Sequence, residues 1–167
     1  LLAASFVLLT LGGTGSRMRA GSIYVVVSLL SSMLFLIAIG LVYAATGTVN
    51  LALLAIRLEQ VPTGLSVVLQ LALLVAFAVK AAIFPLSAWL PDRYPTAPAP
   101  VTAVFAGLLT KVGIYAIVRT QTLLFPDSPL NNLLMWAALA TMVVGILGAV
   151  AQSEIKRQLS FTLVSHI

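Results

Sequence analysis

Two lysines stand inside apolar runs, where a charge is costly. Lys80 lies in AFAVKAAIFPLSAWLPDR, Ala76–Arg93, and Lys111 lies in LLTKVG, Leu108–Gly113. A lysine at the centre of a bilayer costs about 2.5–3.5 kcal/mol on insertion scales. Pro85 follows Lys80 by five residues. A proline inside a helix costs roughly 3 kcal/mol and frees a carbonyl. A span carrying both features faces protein or water rather than lipid. Lysine suits proton exchange in such a place, because burial readily changes how firmly it holds its proton, whereas arginine stays charged. The competing readings are a lysine that snorkels to the interface and one fixed in a permanent ion pair.

The spacing places both lysines at one depth. Lys80 lies eleven residues before Pro91, and Lys111 eleven after Pro100. Each interval is about 16 Å at 1.5 Å per residue, against about 15 Å for half a hydrocarbon core. If the proline-rich turn between them marks one surface, both ammonium groups sit near the midplane on antiparallel neighbours. Snorkelling from that depth is hard.

The remaining polar residues do not make an enzyme site. His166 is the only histidine and stands near the end of the chain. Glu59, Asp92 and Glu154 fall in loops at the membrane surface, and Asp127 falls in another loop. There is no phosphate-binding glycine loop and no cluster with metal-ligand spacing. One histidine is too few for haem held between facing helices. With no cysteine, disulfides and thiolate metal sites are excluded. No cofactor and no metal are expected.

The elements that position the lysines are membrane spans. The 167 residues are 61% hydrophobic and 8% charged, where a soluble domain carries about a quarter charged residues. The mean hydropathy of +1.14 agrees. The net charge of +5 does not mark a nucleic-acid binder, because the basic residues are scattered through loops or stand singly inside spans. The expected fold is all-α, a polytopic transmembrane helix bundle forming a single domain over residues 1–167.

Partial spans are expected at 1–11 and 158–167, and complete ones at 22–45, 65–90, 100–118 and 131–151. The 65–90 span is broken near Pro85 and also carries Gln70. Ser28, Ser31, Ser32 and Gly40 in the first complete span read as close helix packing through small residues, with a hydrated path as the alternative. Leu53–Gln60 reads as a short surface helix. The chain begins and ends inside apolar helices without a charged leader region, as expected of an internal fragment of a longer protein.

Basic residues near span ends mark the cytoplasmic face. Arg17, Arg19, Arg93, Lys156 and Arg157 fall on one side, and Arg57 and Arg119 on the other. The loops 12–21, 91–98 and 152–157 are therefore expected to be cytoplasmic. Trp89 reads as an interfacial aromatic anchor.

The long run FPLSAWLPDRYPTAPAPVTAVFAGLLTKVGIYAIVR, Phe84–Arg119, resembles the antiporter-like membrane subunits. The resemblance continues at EIKRQLSF, Glu154–Phe161, whose acidic-Ile-Lys-Arg pattern opens a later helix in that family. It unites proton-pumping subunits of respiratory complex I, their counterparts in membrane-bound hydrogenases, and Mrp-type multisubunit sodium/proton antiporters. The stretches LLSSMLFL (Leu29–Leu36), TGTVNLA (Thr46–Ala52), YPTAPAP (Tyr94–Pro100) and FAGLLTKVG (Phe105–Gly113) are most similar to the D-type branch of the Mrp antiporters.

The resemblance implies an antiporter-like fold of fourteen helices with two inverted five-helix repeats. The chain would run from the end of helix 5 to the start of helix 10. Lys80 would match the lysine on the broken helix 7, Pro85 its break, and Lys111 the bridging position on helix 8. The family's helix-5 glutamate, the partner of the helix-7 lysine, is absent from this chain and would lie just before it. Lys80 and Lys111 are the candidate proton carriers. Trp89, Asp92, Glu154, Lys156 and His166 are secondary candidates as interface or signature residues.

The implied function is a membrane subunit of a Na+/H+ antiporter in a bacterial plasma membrane, a transporter rather than an enzyme. Its partners would be other membrane subunits, the lipid bilayer, protons and Na+. The alternatives are a redox-driven proton pump of the complex I or hydrogenase type, and a purely structural subunit with locked lysines.

Overall fold

Residues 7, 15–91, 99–126 and 128–167 are described in a computed structural model of the protein, with side chains described outside 16–17, 99–107 and 109. Among them the fold is entirely helical. Helix α1 is Gly15–Thr46, α2 is Leu51–Leu58, α3 is Thr63–Ala81, and a 3-10 turn covers Leu86–Trp89. Helix α4 is Ala99–Leu124, α5 is Asn131–Val150, and α6 is Ile155–Ser165. Three stretches of the described residues are long and apolar enough to cross a membrane: Met18–Thr46, Thr63–Trp89 and Asn131–Val150.

The helices outrun the sequence expectations at several ends. The residues expected as a basic loop are helical from Gly15, which gives α1 32 residues, or about 48 Å. That exceeds a hydrocarbon core of about 30 Å, so α1 projects beyond the apolar layer. Arg17, Met18, Arg19 and Ala20 are good helix formers, and nothing stops the helix until Gly47, whose φ is +71°. Helix α4 runs six residues past Val118, because no breaker precedes Pro126. Its Thr120 and Thr122 hydroxyls donate to carbonyls one turn back, at 2.8 and 2.9 Å. Helix α6 begins at Ile155 rather than Gln158, with Glu154 extended ahead of it. Most of the expected partial span 1–11, the turn around Asp92 and Arg93, and Asp127 lie outside the described residues.

The short surface helix expected near Leu53 is α2. Asn50 caps it, accepting from the N–H groups of Ala52 at 3.0 Å and Leu53 at 3.5 Å. Leu54 and Leu58 are buried, while Leu51, Leu53 and Ile56 face outward. The Arg57 guanidinium donates to the Thr46 carbonyl at 2.6 Å, satisfying an otherwise free group at the end of α1.

Packing follows the antiparallel order. Helix α1 lies along α3, α3 along α4, and α5 along α6. A core of Ala38, Val42, Leu54, Leu58, Leu69 and Leu73 joins α1, α2 and α3 at one end of the bundle. Tyr24, Ala82, Leu90 and Val164 form a second core at the other end. The α5–α6 contact is close because Gly145 and Gly148 carry no side chain. A Cβ at Gly145 would stand 2.5 Å from the Ser165 nitrogen, and one at Gly148 would overlap the Phe161 ring.

Candidate functional site

Helix α3 stops at Ala81, four residues before Pro85. The spacing has a direct cause. Pro85 has no N–H to offer the Ala81 carbonyl, and in a continued helix its ring would strike that carbonyl. Phe84, before the proline, is also kept from helical geometry. The chain turns at Ala82, which is fully buried in the left-handed region at φ 60°, ψ 45°. An alanine held there costs about 1–2 kcal/mol. The Phe84–Pro85 peptide is cis, and the chain resumes as the turn Leu86–Trp89. Lys80 thus stands in the last turn before the break, half-buried.

The groups opened by the break are held by side chains and by the turn itself. The Ala78 carbonyl accepts from both Ala82 and Ile83. The Val79 carbonyl accepts from the Trp89 indole Nε1 at 3.2 Å. Trp89 is folded back onto the end of α3, with its ring 6.4 Å from that of Tyr24. Beyond the break, the Phe84 N–H donates to the Thr141 hydroxyl of α5 at 3.0 Å. Thr141 in turn donates to the Ala137 carbonyl at 2.6 Å. One turn before Lys80, the Ser31 hydroxyl of α1 donates to the Ala76 carbonyl at 3.1 Å. Two neighbouring helices and the returning turn therefore fix the backbone around Lys80. In a bilayer, irregular backbone persists only where protein or water covers it.

Helix α4 brings Lys111 to the same level. Lys111 lies twelve residues from Ala99 and thirteen from Leu124, the middle of α4. Two residues on, Gly113 lies against Ala81. A Cβ at Gly113 would be 2.8 Å from the Ala81 nitrogen and 2.9 Å from its Cβ. A close approach of the two backbones thus lies one residue after Lys80 and two after Lys111. Lys111 Nζ donates to the His166 carbonyl at 2.8 Å, so these two candidates meet through a backbone group at the end of α6. Among the described residues Lys80 has no hydrogen-bond or ion-pair partner.

Glu154 and Lys156 are exposed at the start of α6, away from this cluster. Their positions mark the beginning of a helix, with the Ser160 hydroxyl donating to the Lys156 carbonyl at 2.9 Å. No cluster of metal-ligating side chains occurs among the described residues.

Sequence reasoning misses Thr141 and the back-folded Trp89. A threonine in an apolar helix reads as a residue bonded to its own helix, and half of Thr141's bonding is of that kind. Ser31 reads as a small packing residue or as part of a hydrated path, not as a bond to the backbone of α3. Gln70 is visible as a polar residue in a span, but its partner Gln121 reads as part of a loop. In the structure Gln70 Nε2 donates to Gln121 Oε1 at 2.5 Å.

The matching family model, described as NADH:quinone oxidoreductase/Mrp antiporter, TM, covers residues 1–167. The chain is 44% identical to the D-type subunit of the Na(+)/H(+) antiporter of Alkalihalophilus pseudofirmus, over 100% of this chain and 34% of that protein. It is 40% identical to the Bacillus subtilis protein of the same name, with the same coverage. In solved structures it is similar to the Mrp complex from Dietzia sp. DQ12-45-1b, with a TM-score of 0.91 and 36% identity over 98% of this chain and 31% of that one. It is also similar to the membrane-bound sulfane sulfur reductase, an archaeal respiratory membrane complex. There the TM-score is 0.90 and the identity 32%, over 98% of this chain and 34% of that one. The chain spans about a third of the length of the curated relatives it matches. Identity along its whole length and the shared helical architecture agree, and the chain belongs to the NADH:quinone oxidoreductase/Mrp antiporter transmembrane family.

Proposed function

We propose that the chain is the proton-carrying part of a membrane subunit in a multisubunit Na+/H+ antiporter. It would act in a bacterial plasma membrane beside other membrane subunits. The single observation that supports the residue roles best is the contact of Gly113 with Ala81, which sets Lys80 and Lys111 at one level beside a broken helix. The names of the D-type relatives favour sodium as the counter-ion.

In this reading Lys80 alternates between two states. Charged, it pairs with a carboxylate from outside this chain, the helix-5 glutamate of the family resemblance. Neutral, it has passed its proton towards Lys111. In this reading water would reach the level of Lys80 beside the break after Ala81. Lys111 is steadied by the His166 carbonyl, which accepts its hydrogen bond without competing for the proton. Sodium would move in the opposite direction by a path this chain does not define. The faces carrying residues 12–21, 91–98 and 152–157 would be cytoplasmic, by the excess of basic residues there.

A redox-driven pump is the second reading, favoured by the likeness to an archaeal respiratory complex. The test uses everted vesicles holding the full-length protein with its neighbouring subunits and a pH-sensitive dye. An acid-inside gradient is imposed, and sodium is added with and without a respiratory donor. Dissipation by sodium alone supports the antiporter. Acidification that requires the donor, with no response to sodium, assigns the chain to a redox pump.

A further inference from the structure

Gln70 is only 1% exposed, although it lies in an otherwise apolar stretch of α3. Its amide is bonded at both ends. Nε2 donates to Gln121 Oε1 of α4, and Oε1 accepts from the Ser128 hydroxyl in the α4–α5 connection. The Leu130 N–H donates to the Ser128 oxygen at 3.1 Å, which leaves the hydroxyl proton for Gln70. The positions of the pair are related to those of the lysines. Lys80 lies ten residues after Gln70 on α3, and Lys111 lies ten residues before Gln121 on the antiparallel α4. Each interval is about 15 Å. The register that joins the two glutamines is therefore the register that levels the two lysines.

Between the glutamines and the Gly113–Ala81 contact, the α3–α4 interface holds Leu74, Phe77, Ile114 and Ile117. Apolar side chains in a membrane meet lipid and each other on nearly equal terms. Their packing discriminates weakly between one helical turn and the next. Gly113 and Ala81 permit a close approach at one end of the interface, and the amide pair adds a chemically specific contact at the other. Sliding α4 by one turn, about 5.4 Å, would set Gln70 opposite Ile117 or Phe125. Its Nε2 would then be buried without an acceptor, at the full desolvation cost of that group. The same slide takes Lys111 off the level of Lys80, and proton transfer is steeply sensitive to such displacements.

We propose that the Gln70–Gln121 pair, anchored by Ser128, is a register clamp that positions Lys111 against Lys80 for proton exchange. A buried amide pair suits this task, because its hydrogen bonds are met at one offset of the helices and lost at the next. The clamp stands about 15 Å from the level of the lysines, so it acts through the two helices and carries no proton itself. Gln70 and Gln121 are positioning residues. The inference rests on the proposed exchange between the lysines, and it holds whether sodium or an electron donor drives that exchange.

The test uses full-length protein in its assembled complex, in everted vesicles, with the rate expressed per assembled complex. The first variant is Gln70→Leu/Gln121→Leu. Replacing both partners by apolar groups of similar shape is nearly neutral for stability, so the complex is expected to assemble. Its maximal rate of sodium-driven exchange is expected to fall by more than about tenfold, with the KM for sodium unchanged. Gln121→Glu keeps an acceptor for Gln70 Nε2 and is expected to stay near the wild-type rate. A wild-type maximal rate in the double variant overturns the clamp, and so does an equal loss in Gln121→Glu. A raised KM with an unchanged maximal rate also overturns it, since the pair would then serve sodium binding. Should the double variant fail to assemble, Gln70→Met/Gln121→Met is measured by the same criteria. Failure of both to assemble makes the pair a staple of the fold and overturns the proposal. Lys80→Ala in the same assay separates the two readings. A wild-type rate there removes the exchange that the clamp serves, whereas an inactive Lys80→Ala beside a fully active double variant removes the clamp alone. If wild-type complex shows no response to sodium, the antiporter reading fails, and the same variants are read by donor-driven acidification.

Discussion

At the scale of single residues, the candidate site is a lysine beside a broken backbone that is held by groups not themselves charged. Thr141 accepts the Phe84 N–H, and Trp89 covers the Val79 carbonyl. Thr141→Val keeps the shape and removes the acceptor. It is expected to cost roughly 1–2 kcal/mol, read as a lower thermal midpoint of the purified complex, while Thr141→Ser stays near wild type. Equal midpoints for the two variants would show that the Phe84 bond contributes nothing. Trp89→Phe keeps an aromatic ring against Tyr24 but loses the indole donor, and about 1 kcal/mol is expected to go with it. The lysines themselves were legible in the sequence, because a charge in an apolar run stands out. Their neutral supports were not. A threonine or tryptophan in a span has several ordinary uses, and only the fold shows which is realised.

At the scale of helices, proline sets the end of α3 and glycine sets its distance from α4. The sequence located the break at Pro85. The structure begins it at Ala82, because a proline disturbs the carbonyl four residues earlier rather than its own position. The left-handed Ala82 was not legible, since such turns are usually announced by glycine. Ala82→Gly is expected to relieve the Cβ strain and be neutral or stabilising by up to about 1 kcal/mol. A marked loss of stability would mean that the alanine methyl packs more tightly than its strain costs. Gly113→Val would drive a branched side chain into the Ala81 backbone. Overpacking of this kind costs about 1–3 kcal/mol, and the two lysines would be pushed apart. Reduced antiport with retained assembly is the expected result. Wild-type transport would show that the α3–α4 spacing is not critical.

At the scale of the whole molecule, hydropathy predicted a membrane bundle, and turn chemistry predicted the order of its antiparallel helices. Helix ends were the least legible, because bilayer thickness does not limit a helix that continues into the interface. Residues 15–21 and 121–124 read as loops in the sequence and are helical in the structure. Gln121, the partner of Gln70, was hidden for the same reason, since it belongs to an extension of α4. Two faces result from this topology, one bearing Pro62 and Pro129, the other Gln152. Cysteines placed at Gly64 and at Gln152 are expected to label from opposite sides of sealed vesicles, with Gln152→Cys cytoplasmic. Labelling of both from one side would contradict the antiparallel arrangement.

The central claim is that Lys80 gives and takes a proton during exchange, and one comparison tests it most directly. Sodium-driven proton exchange is measured in vesicles at matched assembly for wild type, Lys80→Ala and Lys80→Arg. Both variants are expected to lose more than about tenfold of the rate, the second because arginine keeps its charge and cannot release a proton. A wild-type rate in Lys80→Ala would contradict the claim outright. A wild-type rate in Lys80→Arg alone would show that Lys80 supplies a fixed charge and not a proton.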